Sequence, residues 1–201
     1  MCLRSKIASL CRMFGQTPFL HSFFSSIYFR QRTLRNFYKM KAMNPIASDA
    51  IDAVIDALDN LDEHQYEQRM RAFAEAQPIL FAWLNSESFE LLTEDEKGYL
   101  TYLSLIIWSA VEKADGEMDM VDEESIGEAE EKNYEILEAS EGKRFRERLD
   151  TFFEAYPQEE LLAFAEEAVL EDEDDPESLV TKEGREALFV SLKTVIDVLT
   201  E

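Results

Sequence analysis

TEDEKGYLTYLSLIIWSAVEKADG, residues 93–116, decides the fold. Thr93 with Glu96 three residues later forms a capping box. The hydroxyl takes a first-turn backbone N–H, and the carboxylate reaches back to the N-cap N–H. The box opens YLTYLSLIIWSAV, residues 99–111, which is apolar on nearly every side. A helix of that kind is buried all round. The run is too short to cross a bilayer, so it predicts the central helix of a globular core. Gly116 predicts its end, in the left-handed conformation that glycine adopts without a Cβ penalty.

Working outward, other apolar stripes recur at helical spacing. Ile51, Val54, Ile55, Leu58 and Leu61 follow Ser48 or Asp49 as N-cap, and Tyr66, Met70, Phe73 and Ala74 form the next stripe. Pro78 ends or kinks that helix, and ILFAWL after it reads as a short apolar turn or helix. Ile126, Ala129, Asn133, Ile136 and Leu137 make another stripe, ending near Gly142, followed by Phe145, Leu149, Phe152, Phe153 and Tyr156. Pro157 suits the first position of a helix carrying Leu161, Leu162, Phe164, Ala165, Ala168 and Val169. EDEDDPE, residues 171–177, is a charged loop, and Thr181 caps a last helix with Leu188, Leu192, Val195, Ile196 and Leu199 on one face. No segment alternates with period two long enough for a strand, and no repeat stands at a fixed period. The expected fold is all-α: a single compact domain over residues 46–201, with about six to eight helices.

Residues 1–45 are set apart as a non-domain segment. Up to residue 48 there are eight Lys or Arg and no Asp or Glu; residues 49–201 hold twelve basic and 43 acidic residues, a net of −31. Such an N-terminus fits an over-extended reading frame whose true start is Met40 or Met43. Otherwise it fits an organellar transit peptide, rich in Arg and Ser and free of acid. The first reading places the protein in the cytoplasm. The acidic body repels nucleic acid and anionic membranes and attracts cations and basic proteins.

Composition excludes several chemistries. Both cysteines, Cys2 and Cys11, lie in the basic segment, so no disulfide or thiolate zinc site forms in the body. His64 is the body's one histidine, which is too few for paired Glu-x-x-His metal ligation. Gly98, Gly116, Gly127, Gly142 and Gly184 make no phosphate-loop spacing.

Carboxylate chemistry remains. In KADGEMDMVDEE, residues 113–124, Asp115, Glu117, Asp119 and Asp122 are candidate ligands for Ca²⁺ or Mg²⁺. An EF-hand starting at Asp115 has Met120 where glycine belongs and Ile126 where the bidentate glutamate belongs. The plainer expectation is a turn, with Gly116 ending one helix and Asp119 or Asp122 capping the next. The pattern Ala110-Val111-x-Lys113-Ala114-Asp115-Gly116-Glu117, then acidic residues and Ile126, resembles the helix–turn–helix of TerB-like tellurite-resistance domains, without a second copy. Glu128 and Glu131, then Glu147 and Asp150, resemble the Glu-x-x-Glu and Glu-x-x-Asp pairs of MazG-type NTP pyrophosphohydrolases. That resemblance implies Mg²⁺ bridged to substrate phosphates. KRFRER, residues 143–148, is the body's one dense basic cluster and is expected to pair with neighbours such as Glu141 and Glu147. The expected function is a non-enzymatic protein-interaction module for a basic partner, the alternative being a divalent-metal carboxylate protein.

Overall fold

The computed structural model describes residues 43–86, 89–116, 118–170 and 178–200. The basic segment up to residue 42, Glu117 and the EDEDDPE loop lie outside the described residues. Eight helices and no strand occur within them: α1 (Ser48–Asp59), α2 (Glu63–Ala76), α3 (Pro78–Leu84), α4 (Glu94–Asp115), α5 (Glu123–Ala139), α6 (Phe145–Phe153), α7 (Glu159–Leu170) and α8 (Arg185–Thr200). None of the described helices is long and apolar enough to cross a membrane.

α4 is the predicted central helix, buried without interruption from Tyr99 to Val111. It shares the centre with α8, buried from Ala187 to Asp197. The remaining helices pack around this pair, most with one apolar stripe and a polar outer face; α3, PILFAWL, carries no charged or amide side chain at all. Several helix ends differ from the sequence reading. α1 starts after Ala47, whose side chain caps nothing, so neither Ser48 nor Asp49 is the N-cap. Pro157 precedes α7 rather than opening it, because Gln158 supplies the carbonyl that takes the Leu162 N–H. Gly116 has a φ of 84° and a ψ of −128°, a glycine conformation outside the left-handed helical well. Met43 packs on the core, and Ile46 is buried with its N–H bonded to Gln158 Oε1 at 3.0 Å. The folded body therefore includes residues 43–46.

The helices fall into two corresponding sets, α1–α4 and α5–α8. Exchanging the sets preserves much of the packing: α1 on α4 matches α5 on α8, α3 on α4 matches α7 on α8, and α1 on α7 matches α5 on α3, whereas α2 on α4 and α5 on α6 have no counterpart of like extent. The pair α4–α8 maps onto itself. Local details repeat as well. Gln77 precedes α3, accepts the Val121 N–H and donates to the Asp119 carbonyl, both at 2.9 Å. Gln158 precedes α7, accepts the Ile46 N–H and donates to the Asn44 carbonyl at 3.3 Å. Each amide thus grips the strand of chain entering the other set's first helix, two residues before it begins. Tyr66, Met70 and Phe73 correspond to Phe145, Leu149 and Phe152, and Leu80, Ala82 and Trp83 to Leu161, Ala163 and Phe164. Likewise Tyr102-Leu103-Ser104-Leu105 corresponds to Phe189-Val190-Ser191-Leu192. The spacing between partners drifts, because α5 is longer than α1 and the links before α7 and α8 are longer. A fixed-period search misses the repeat for that reason.

Glu96 sits where the two sets meet and is completely buried. Its Oε2 accepts the Thr93 N–H at 2.7 Å and hydroxyl at 2.9 Å; its Oε1 accepts the Thr181 N–H and hydroxyl, both at 2.8 Å. The Thr93 hydroxyl in turn accepts the Glu96 N–H, and the Thr181 hydroxyl accepts the Gly184 N–H. Thr181 therefore caps the turn ahead of α8 in the way that Thr93 caps α4. Gly184 occupies the position corresponding to Glu96, and a Cβ there would land on the Glu96 carboxylate. One carboxylate serves both caps, and there is no room for a second side chain.

Gly184→Ala is expected to destabilise the protein by about 2 kcal/mol or more, since Glu96 must leave donors it buries. Urea denaturation would show this as a lower midpoint; an unchanged midpoint would mean that the two caps do not share the carboxylate.

Candidate functional site

Of the candidate ligands of the 113–124 stretch, Glu117 lies outside the described residues, and Asp115, Asp119 and Asp122 are not gathered. Asp115 is the exposed last residue of α4, and Asp119 contributes its backbone carbonyl to Gln77 while its side chain is exposed. Asp122 caps α5 by accepting the Ser125 N–H at 2.8 Å, as the plainer reading expected. α4 ends at Asp115 with Gly116 as its C-cap, and α5 begins at Glu123. Glu128 and Glu131 are exposed along α5. Glu147 accepts the Lys143 and Arg144 N–H groups at the start of α6, and Asp150 is exposed on that helix. Among the described residues no group of three or more His, Cys, Asp or Glu is placed to hold a metal ion. The basic cluster pairs across the fold: Arg146 with Glu166 on α7, and Arg148 with Glu186 on α8 and the Leu137 carbonyl near the end of α5. A cation at that helix terminus complements its dipole. His64 is exposed on α2, with its ring bonded to Gln68.

Two constellations escape sequence reasoning. The first is a polar cluster in the core of the second set. Lys193 Nζ lies 2.6 and 2.7 Å from the two Asp197 oxygens, Tyr156 donates to Oδ1 at 2.8 Å, and Asn133 donates to Oδ2 at 2.9 Å. The lysine also stands 4.0 Å from the Tyr156 ring centroid. The corresponding residues of α4 are apolar: Ile106 for Lys193, Ile107 for Thr194 and Ala110 for Asp197. Packing alone therefore does not demand the ion pair, and buried pairs of this kind are near break-even in stability. Its ions satisfy one another, and they are oriented inward.

The second is a surface groove between α3 and α5, an open volume of about 560 Å³ lined by Ile79, Asp122, Glu123 and Glu124. One turn along α3 from Ile79, Trp83 is half-buried and stacks edge-on against Phe89 at 5.1 Å. Glu130 of α5 is half-buried; burial pushes its carboxyl above the ordinary value, and the Trp83 indole pulls in the opposite direction. Tyr134, one turn beyond Glu130, is among the few exposed large apolar side chains, with Met120 just ahead of α5 and Leu91 elsewhere.

Comparison with family models, with curated proteins and with solved structures finds no match to this chain. The geometry above therefore carries the functional reading.

Two outcomes follow from these constellations. Lys193→Ile alone should cost about 3–5 kcal/mol, because Asp197 stays buried without its cation. Adding Asp197→Ala, the residue of the first set, should recover about 2 kcal/mol of that loss in a double-mutant cycle. Additive losses would mean that the ions act separately. At Glu130, a raised folded pKa means stability is present below the unfolded value and lost as pH rises through the folded value. Glu130→Gln should therefore stabilise at pH 7 by about 0.5 kcal/mol or less, given its partial exposure, and make no difference near pH 4. Melting curves at the two pH values check the sign.

Proposed function

We propose that residues 43–200 form a non-enzymatic binding module whose partner is a basic protein. The supporting observation is where the excess acid stands. Asp49, Asp52, Asp56 and Asp59 run along the exposed side of α1. Glu128, Glu131, Glu135 and Glu138 run along α5 with the same spacing. α1 and α5 are corresponding helices, so both sets present a row of carboxylates outward. α1 carries no Lys or Arg, and α5 carries only Lys132. Buried ionisable groups, by contrast, are engaged inside the fold: Glu96 by two threonines and Asp197 by Lys193. Charge of one sign steers an oppositely charged partner and rejects anionic ones, while adding little affinity without an apolar anchor. Nucleic acid is among the rejected partners.

Self-repulsion should make the free protein more stable as NaCl rises to about 0.1 M, where the Debye length is near 10 Å. A lysine-rich peptide should bind with an affinity that falls with salt, and a glutamate-rich peptide or duplex DNA should not bind. Calorimetry separates this reading from its rival: a saturable micromolar Mg²⁺ or Ca²⁺ site lost in Glu128→Gln/Glu131→Gln would replace the protein partner with a metal.

A further inference from the structure

Most contacts between the two sets do not tell one set from the other. The glutamine clamps are alike: Gln77 and Gln158 each take one N–H and one carbonyl, two residues apart, from the segment entering the opposite set. α4 and α8 meet through like residues, with Leu103 and Leu105 buried in one and Val190 and Leu192 in the other. Thr93 and Thr181 are alike too, each hydroxyl accepting the N–H three residues on. Through these contacts a set would accept a copy of itself as readily as its neighbour. The difference between the sets at this joint is Glu96 against Gly184.

The joint holds four donors, an N–H and a hydroxyl from each threonine, and one carboxylate meets them all. Two first sets would bring two carboxylates to that place. A Cβ at Gly184 already falls on Glu96 Oε1, so a second glutamate has no room, and two like charges would be buried together. Two second sets would bring the four donors and no acceptor, which leaves each of them buried without a partner. A first set against a second set satisfies every group. That count is the same whether the two sets belong to one chain or to two.

We infer that the face each set offers at this joint is a pairing surface for the opposite set of a second copy of the chain, with Glu96 and Gly184 excluding like from like. The chain passes between the sets once, through residues 116–122, so two copies can exchange sets and build each joint from the first set of one and the second set of the other. Exchange of an identical element is a low-cost route to a dimer, because it reuses contacts the monomer already makes. Tethering favours closure within one chain in dilute solution: a short link gives an effective concentration of about 1 mM, roughly a hundredfold above a 10 µM sample. Exchange prevails at high concentration or where closure within one chain is faulty. The pairing is independent of the basic-partner reading.

The test uses two full-length variants, each faulty alone. Glu96→Gly leaves four donors without an acceptor, and Gly184→Glu puts two carboxylates into one joint. Exchange of sets between these variants restores one carboxylate to each of the two joints. Mixed in urea and refolded together at about 10 µM, they should form a one-to-one dimer in native mass spectrometry, where their different masses separate mixed from like pairs. That dimer should melt within a few degrees of the natural chain, and each single variant alone should melt about 10 °C lower or fail to fold. The double variant Glu96→Gly/Gly184→Glu moves the carboxylate to the other set and should fold as a monomer close to the natural chain in stability. A mixture without the one-to-one dimer overturns the exchange, whether or not the single variants fold. A double variant no more stable than the single ones, or like pairs as abundant as mixed ones, overturns the exclusion by Glu96 and Gly184.

Discussion

The Glu96 carboxylate gives each of its oxygens to a different threonine, and the arrangement of the two helix sets depends on that division. The direction of the bonds is imposed. The Thr93 and Thr181 hydroxyls already accept backbone N–H groups from Glu96 and Gly184, so both must donate onward. The two threonine N–H groups also donate. Four donors converge on one buried side chain, and only an ionised carboxylate offers acceptors on both oxygens. A protonated acid or an amide would turn a hydrogen toward one threonine. Hydrogen bonds to a charged acceptor are each worth about 1.5–3 kcal/mol, which is the scale needed to offset taking the ion out of water. The ends of α4 and α8 are thereby locked together before their apolar flanks add their burial.

The two glutamine clamps extend the same logic. A chain segment entering a helix has backbone groups with no helical partner, and burying it requires that they be satisfied. Gln77 and Gln158 answer this with one amide each, accepting an N–H and donating to a carbonyl as a neighbouring strand would. Each clamp belongs to one set and grips the other. The sets are therefore interlocked through polar contacts at their margins and through α4 and α8 at their centre.

Much of this was legible along the chain, and the remainder was not, for definable reasons. Helix positions follow from local spacing, and the Thr93 box and the Asp122 cap are bonds over three residues, so both can be read directly. Thr181 with Glu96, or Gln77 with Val121, joins residues far apart, and no local pattern marks them. The repeat left a readable trace in Phe73–Pro78, FAEAQP, against Phe152–Pro157, FFEAYP, but the drift in spacing hides it from any search at constant period. Conservative exchange hides it further: Tyr66 and Tyr102, whose hydroxyls burial pushes upward, are replaced by Phe145 and Phe189, edge-on at 6.2 Å. In the 113–124 stretch the density of acids suggested ligands. Density along the chain is not convergence in space: the Asp122 carboxylate serves a cap, and Asp119 offers the clamp only its backbone carbonyl. The α3–α5 groove needs two helices brought together, which no local pattern announces.

A duplicated architecture also supplies an internal control on what packing requires. Where both sets carry the same kind of residue, as at Met70 and Leu149 or Leu80 and Leu161, the fold alone explains it. Where one set is apolar and the other polar, the apolar set shows that the fold is content without the polar groups. Lys193 and Asp197 differ in this way, with Ile106 and Ala110 in the first set. Ser109 differs in the opposite sense: it accepts from Arg69 in the first set, and Ile196 stands in its place in the second. At Lys193 and Asp197 the departure faces inward, and the ions neutralise each other. A buried pair of that kind is near break-even in stability, so its effect lies in what it positions. Asp197 draws Asn133 of α5 and Tyr156 beyond α6 onto α8, and three parts of the second set are thereby registered by polar bonds where the first set relies on apolar contact.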